Sequence, residues 1–151
     1  METLSVVISF LALIVSFVSL WRVREIKELD LRLELNKVFN NLDIALSGID
    51  AYLDFVHQSH ERVLAATGML NSGAQKIFED EFTKDKAKLQ ELLSNQPIRK
   101  DTYKGSPQLE LEKEIVAVHA YHNQIADLRA KYNKIFDSDE ERRKEIRARH
   151  Q

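Results

Sequence analysis

Hydrophobic residues follow two patterns along the chain, one continuous and one periodic. The continuous pattern fills residues 4–21, LSVVISFLALIVSFVSLW, where no side chain is charged. A helix of about 18 to 20 residues spans the roughly 30 Å hydrocarbon core of a bilayer, and it pairs its own backbone N–H and C=O groups there. The pattern therefore predicts a transmembrane anchor in residues 1–21.

The charges beside this segment predict its orientation. No Lys or Arg precedes it, whereas Arg22, Arg24 and Lys27 follow it directly. Positive charge favours the cytoplasmic side, and tryptophan favours the headgroup region, so Trp21, Arg22 and Arg24 are the expected interface anchor. The segment lacks the basic start of a cleaved signal peptide. We expect a single-pass protein of the plasma (inner) membrane, with its N-terminus outside and its C-terminal domain in the cytoplasm.

Small residues recur at steps of three and four within the anchor and share one side of the helix. Membrane helices commonly pair over such a stripe, because small residues let backbones approach and serine hydroxyls bond across. The stripe predicts association with a second copy or with another transmembrane protein. The alternative is that each serine bonds back to its own helix. The stripe consists of Ser5, Ser9, Ala12, Ser16 and Ser19.

The periodic pattern begins after the anchor. Residues 22–35 are strong helix formers, so the membrane helix is expected to continue into the cytoplasm. Apolar residues then repeat every seven positions, flanked by further apolar residues, which predicts the inner face of a packed helix. This helix is expected to end near Gly68, where two glycines, an asparagine and a serine favour a turn. The heptad residues are Leu35, Leu42, Ile49, Val56 and Val63.

Two further apolar faces predict two further helices. One covers residues 74–94 with Ile77, Phe78, Phe82, Leu89, Leu92 and Leu93 inside, and it is expected to turn back toward the membrane. Loop 94–107 follows, with Pro97 and Gly105, and Ser106-Pro107 is typical of a helix start. The last helix repeats Leu111, Val118, Ile125 and Tyr132, and its apolar face reaches Phe136.

The predicted fold class is all-α. A single N-terminal transmembrane helix continues into a long helix that packs in an antiparallel three-helix bundle or coiled coil. The domains are the anchor 1–21, the helical bundle 22–136 and a charged tail 137–151. The tail has little apolar surface, so we expect a solvated helix, with docking of its arginines on an acidic partner as the alternative.

Composition excludes several function classes. The chain has no cysteine, so disulfides, thiolate metal sites and cysteine nucleophiles are absent. Its 22 basic and 24 acidic residues nearly cancel, so no general field attracts nucleic acid. The sequence also lacks a phosphate-binding glycine loop, a Gly-x-Ser-x-Gly elbow and a His-Glu-x-x-His motif. A narrow bundle rarely offers a substrate cleft, so we expect no enzymatic activity and no cofactor.

Four histidines form two pairs with equal spacing, His57 with His60 and His119 with His122. Residues three apart share a helix face, so each pair can offer two imidazoles to a metal ion, with Glu61 as a further ligand. Parallel first and last helices would place the pairs at similar height, with Val56 level with Val118. The alternatives are a pH-responsive cluster and ordinary half-buried histidines at the edge of the core.

Several segments resemble the LemA family of bacterial membrane-anchored helical bundles. They are NLDIAL at residues 41–46, HER at residues 60–62, LEKEI at residues 111–115 and Tyr132-Asn133. The resemblance implies an anchor followed by a helical bundle, and it implies no catalytic residue.

Three functional hypotheses follow from these patterns. The first is a membrane-anchored scaffold or adaptor in an oligomeric or multi-protein complex, with partners at the stripe, the bundle or the tail. The second is a metal- or pH-responsive helical sensor that uses the four paired histidines. The third is a phage-type lysis or envelope-bridging protein, which requires the opposite orientation.

Overall fold

The computed structural model describes residues 2–100 and 103–149, with side chains from residue 10 onward. Four helical segments account for most of it: α1 (Glu2–Leu46), α2 (Ile49–Ala66), α3 (Gly73–Ser94) and α4 (Gln108–Arg149). No strand occurs in these described residues. The all-α prediction is confirmed.

Segments α1 and α2 form one rod with a break at Ser47 and Gly48. Gly48 adopts a φ of 75°, a left-handed conformation that glycine tolerates because it has no Cβ. Backbone hydrogen bonds continue on both sides, from Ser47 N to Asp43 O at 3.0 Å and from Tyr52 N to Gly48 O at 2.9 Å. The long first helix therefore exists, with one interruption that the heptad pattern does not reveal.

The rod, α3 and α4 form a bundle of three helices. Tyr52 donates a hydrogen bond to Asn133, and His60 lies 2.9 Å from Asp139, so α4 runs in the same direction as the rod. Helix α3 runs the other way, since Tyr121 donates to the carbonyl of Leu92 while Tyr132, further along α4, reaches Asp85. The predicted reversal of the second helix is confirmed.

The predicted heptads form the core of this bundle. All five heptad positions of the rod and all four of α4 are buried. Burial of each such side chain contributes roughly 1.5–3 kcal/mol to the free energy of unfolding. This burial holds the rod and α4 together. Ile77 was expected on the inner side of α3, but it is exposed. The other predicted inner residues of α3 are buried or half-buried.

A helix cap stabilises the turn before α3, and packing contacts stabilise the loop between α3 and α4. Ser72 accepts a hydrogen bond from Gln75 N at 3.3 Å, so it caps the N-terminus of α3. The loop packs back onto the bundle, because Tyr103 is buried and Arg99 donates to Asn40 at 2.7 Å. Residues 101–102 lie outside the described part.

Helix α4 continues past Phe136 into the segment predicted to be a solvated, charged tail. Helix α4 continues without a break to Arg149, and Asp139 is only 1% exposed. Arg143 donates to the carbonyl of Ser59 at 3.0 Å and to its hydroxyl. At least the first two turns of the predicted tail therefore belong to the bundle.

The first part of α1 extends beyond the core. From residue 10 to residue 27 every side chain is exposed, and complete burial begins only at Leu35. No helical stretch within the described part is both apolar enough and long enough to cross a membrane. Residues 4–9, the first third of the uncharged segment 4–21, have side chains outside that described part.

Candidate functional site

Titratable and aromatic side chains meet where the second half of α2 faces α3. His57 Nε2 lies 3.0 Å from each carboxylate oxygen of Glu79. The imidazole stacks on Phe82 with 4.1 Å between ring centroids, and on Phe78 with 5.6 Å. These contacts restrict the ring, so Nε2 is held toward α3.

Glu61 lies one helical turn after His57 and completes a group of three. One ligand atom each from His57, Glu61 and Glu79 falls within 4.8 Å of the other two. All three residues are half-buried. Sequence analysis identified His57 and Glu61 but missed Glu79, which comes from another helix. Only the antiparallel packing of α3 brings it there.

His60 faces a different partner. Its Nδ1 lies 2.9 and 3.0 Å from the two carboxylate oxygens of Asp139, and its ring contacts Phe78 at 4.2 Å between centroids. A buried carboxylate is costly unless it is hydrogen-bonded or paired, so His60 is the group that makes the buried Asp139 tolerable. His60 thus joins α2 to α4 instead of sharing the group around His57.

The second histidine pair lies elsewhere in the bundle. His119 is exposed on α4. His122 lies beside Asn41, Ala45 and Arg129, in a shallow groove of about 340 Å³. Neither residue joins a three-ligand group in the described part of the chain.

The relative register of the rod and α4 explains this separation. His60 contacts Asp139 and Tyr52 contacts Asn133, which lie 79 and 81 positions further along the sequence. The expectation that Val56 lies level with Val118 is therefore wrong by about 18 residues, or roughly 27 Å along the helix. A shared site of four histidines does not form.

Two lysine-centred clusters lie next to the histidine group. Lys86 of α3 lies 2.6 Å from Asp50 and 2.9 Å from Asp54 of α2. Burial lowers the pKa of Lys86, but hydrogen bonds and charge attraction to these carboxylates outweigh burial and raise it above its usual value. The cluster therefore fixes charged groups across the α2–α3 contact.

The second cluster joins α3 to α4. Lys131 lies 3.1 Å from Glu81 and 2.7 Å from Asp85, and the Tyr132 hydroxyl donates to Asp85 at 3.2 Å. Burial, and then the nearby Asp85 carboxylate, raise the pKa of Tyr132 well above its usual value. Sequence analysis missed both clusters, because each needs the register between two helices.

The membrane-related residues are only partly described. Ser5 and Ser9 of the small-residue stripe lie outside the described side chains, while Ala12, Ser16 and Ser19 are exposed on α1. Trp21, Arg22 and Arg24 are exposed as well. Arg22 borders a cavity of about 590 Å³ between α1 and the loop residues Lys104 and Gly105.

Comparison with known proteins adds no family to this picture. No protein-family model, curated protein or solved structure matches the chain. The resemblance to the LemA family therefore stays a prediction.

Proposed function

We propose that the protein is a membrane-anchored helical scaffold or adaptor. Its N-terminal helix lies in a lipid bilayer, and its three-helix bundle holds a protein partner. One observation supports this proposal most: the start of α1 carries large apolar side chains that face outward on all sides. Phe10, Val15 and Leu20 point successively about 140° apart around the helix, and they are 65%, 63% and 55% exposed.

Water is an unfavourable environment for this extension. Each large apolar side chain left in water forgoes roughly 1.5–3 kcal/mol of burial. A helix that packs on one neighbour needs one apolar stripe, whereas a helix that is apolar on all sides needs an apolar surrounding. The sequence has no charge in residues 4–21 and two arginines by residue 24. This order fits best if residues 4–21 lie in the lipid core and the two arginines lie at the headgroup interface.

The same charges support the proposed orientation. Arg22, Arg24 and Lys27 lie on the bundle side of the apolar segment, and no basic residue lies on the other side. The positive-inside bias places the bundle in the cytoplasm. A reporter fused after the last residue tests this directly. A periplasmic signal would contradict the orientation and favour the lysis or envelope-bridging alternative.

Association within the membrane is the second element of the proposal. The chain has no native cysteine, so a single introduced cysteine reports contacts without background. Ser16→Cys lies on the small-residue stripe, and Ile14→Cys lies on the opposite side of the same helix. If copies pair over the stripe, oxidation in membranes crosslinks Ser16→Cys several-fold more than Ile14→Cys. Equal crosslinking of both would contradict pairing over the stripe.

Exposed apolar residues on the bundle support a protein partner. Leu109 and Val116 are 63% and 67% exposed, and they share one face of α4 because they are seven residues apart. We expect a partner to copurify with the full chain in mild detergent, and to be lost when both residues are changed to serine. Retention of the same partner by the double variant would contradict this assignment.

A metal-responsive sensor is the second candidate function. The observation that favours it is the group of His57, Glu61 and Glu79, which two helices bring together. The proposed site differs from the one expected from the histidine pairs, because His119 and His122 take no part. The pH-responsive form of the sensor hypothesis stays a prediction.

A further inference from the structure

We infer that His57, Glu61 and Glu79 form a binding site for a divalent transition-metal ion of the zinc type. The site joins α2 to α3. It goes beyond the scaffold proposal and does not depend on membrane anchoring.

The distances suit a small tetrahedral ion. Zinc binds imidazole nitrogen and carboxylate oxygen at about 2.0–2.2 Å, so two tetrahedral ligand atoms lie roughly 3.3 Å apart. His57 Nε2 and the Glu79 oxygens are 3.0 Å apart. The Glu61 carboxylate lies within 4.8 Å of both partners, so a shift of at most about 1.5 Å brings it to the spacing of a tetrahedral site.

Two features make the group suitable before any ion enters. His57 and Glu61 are four residues apart on α2 and share one helix face. Stacking of His57 on Phe82 and Phe78 limits rotation of the imidazole. A ligand set that is already oriented loses less freedom on binding, which increases affinity.

The charge of the group also favours a cation. With His57 neutral, the two carboxylates leave a net charge of about −2. In the described part of the chain, Glu79 forms no salt bridge with a lysine or arginine, and its partner is the His57 imidazole through a hydrogen bond. Lys86, on the α3 side of the same contact, is paired with Asp50 and Asp54. A divalent ion would therefore neutralise an existing surplus of negative charge.

The ligand types select the class of ion. Calcium and magnesium prefer sites made only of oxygen, whereas an imidazole ligand suits zinc, copper, nickel and iron. Three protein ligands leave a fourth position for water. Because α3 meets α2 through few buried residues, an ion bound here would stabilise the contact between the two helices.

The test is a Zn²⁺ titration of the full chain in detergent, without a polyhistidine tag, at pH 7.5. We expect one saturable site per chain by calorimetry. We also expect the melting temperature to rise by about 5–10 °C at a Zn²⁺ concentration 100-fold above Kd. Absence of saturable binding would overturn the inference.

Glu61→Gln and Glu79→Gln are the informative variants. Glu61→Gln leaves the His57–Glu79 hydrogen bond intact, so we expect the metal-free variant to fold like the wild type. Each variant should weaken Zn²⁺ affinity at least tenfold and remove the thermal shift. His119→Gln is the matched control, because it removes an exposed histidine of the other pair, and its affinity should equal that of the wild type. Unchanged affinity in the two glutamine variants, or loss of binding in His119→Gln, would overturn the site.

Discussion

Two stretches of the same rod use apolar residues in opposite ways. In residues 10–27 of α1 the apolar side chains point in all directions and are exposed. In residues 35–63 they are buried at every seventh position, and those from Leu35 to Val56 belong to one core with residues of α3 and α4. The apolar side chains of the first stretch are exposed, while the second stretch has a buried residue at every repeat. The difference shows that periodicity, rather than apolar content, marks the part that folds on itself.

The largest expected difference between the two stretches comes from the same Leu→Ala substitution in each of them. Leu53→Ala removes a side chain that is fully buried, so we expect the free energy of unfolding to fall by about 2–5 kcal/mol. Leu13→Ala removes a side chain that is 67% exposed, and the bundle should lose less than about 0.5 kcal/mol. Denaturant unfolding followed by circular dichroism in micelles measures both. Equal losses would mean that the apolar extension packs on the bundle.

The second prediction concerns the end of α4. Asp139→Ala removes the buried partner of His60. We expect the free energy of unfolding to fall by about 1–3 kcal/mol, because the His60 imidazole loses its hydrogen bond. Asp137→Ala is the matched control, since Asp137 lies two residues earlier and is exposed. Its loss should stay within about 0.5 kcal/mol. If both variants unfold alike, the helix end is a solvated tail.

The smallest effect concerns the polar contact between α3 and α4. The pKa of Tyr132 is raised in the folded protein, so above pH about 10 the unfolded chain releases this proton while the folded chain keeps it. The unfolded state then binds fewer protons, and stability falls as the pH rises. Lys86 and Lys131, whose pKa values are also raised, add loss in the same direction.

Tyr132→Phe tests this assignment. At pH 7 it removes the hydrogen bond to Asp85 and should cost about 1 kcal/mol. Between pH 9 and pH 11 the variant should lose less stability than the wild type, because phenylalanine has no hydroxyl proton to titrate. Denaturant midpoints at both pH values supply the measurement. Identical pH dependence in the two proteins would show that Tyr132 does not contribute.

The sequence was sufficient for the helices and their inner faces, and insufficient for their register. Heptad positions such as Val56 and Val118 identify buried faces because burial follows the helical period. The heptad pattern does not determine which turn of one helix contacts which turn of another. Glu79 and Asp139 could not be recognised for this reason, since each acts on a histidine of a different helix. The break at Gly48 was missed because a glycine within a helical pattern is often tolerated.

The most direct test of the central claim is the partition of the chain between membrane and water. The full chain and a chain lacking residues 1–21 are mixed separately with liposomes and floated on a density gradient after carbonate washing. The proposal predicts that the full chain floats with lipid, while the shortened chain stays in the aqueous fraction with its helical bundle intact. A full chain that stays in water as a monodisperse folded protein would contradict it.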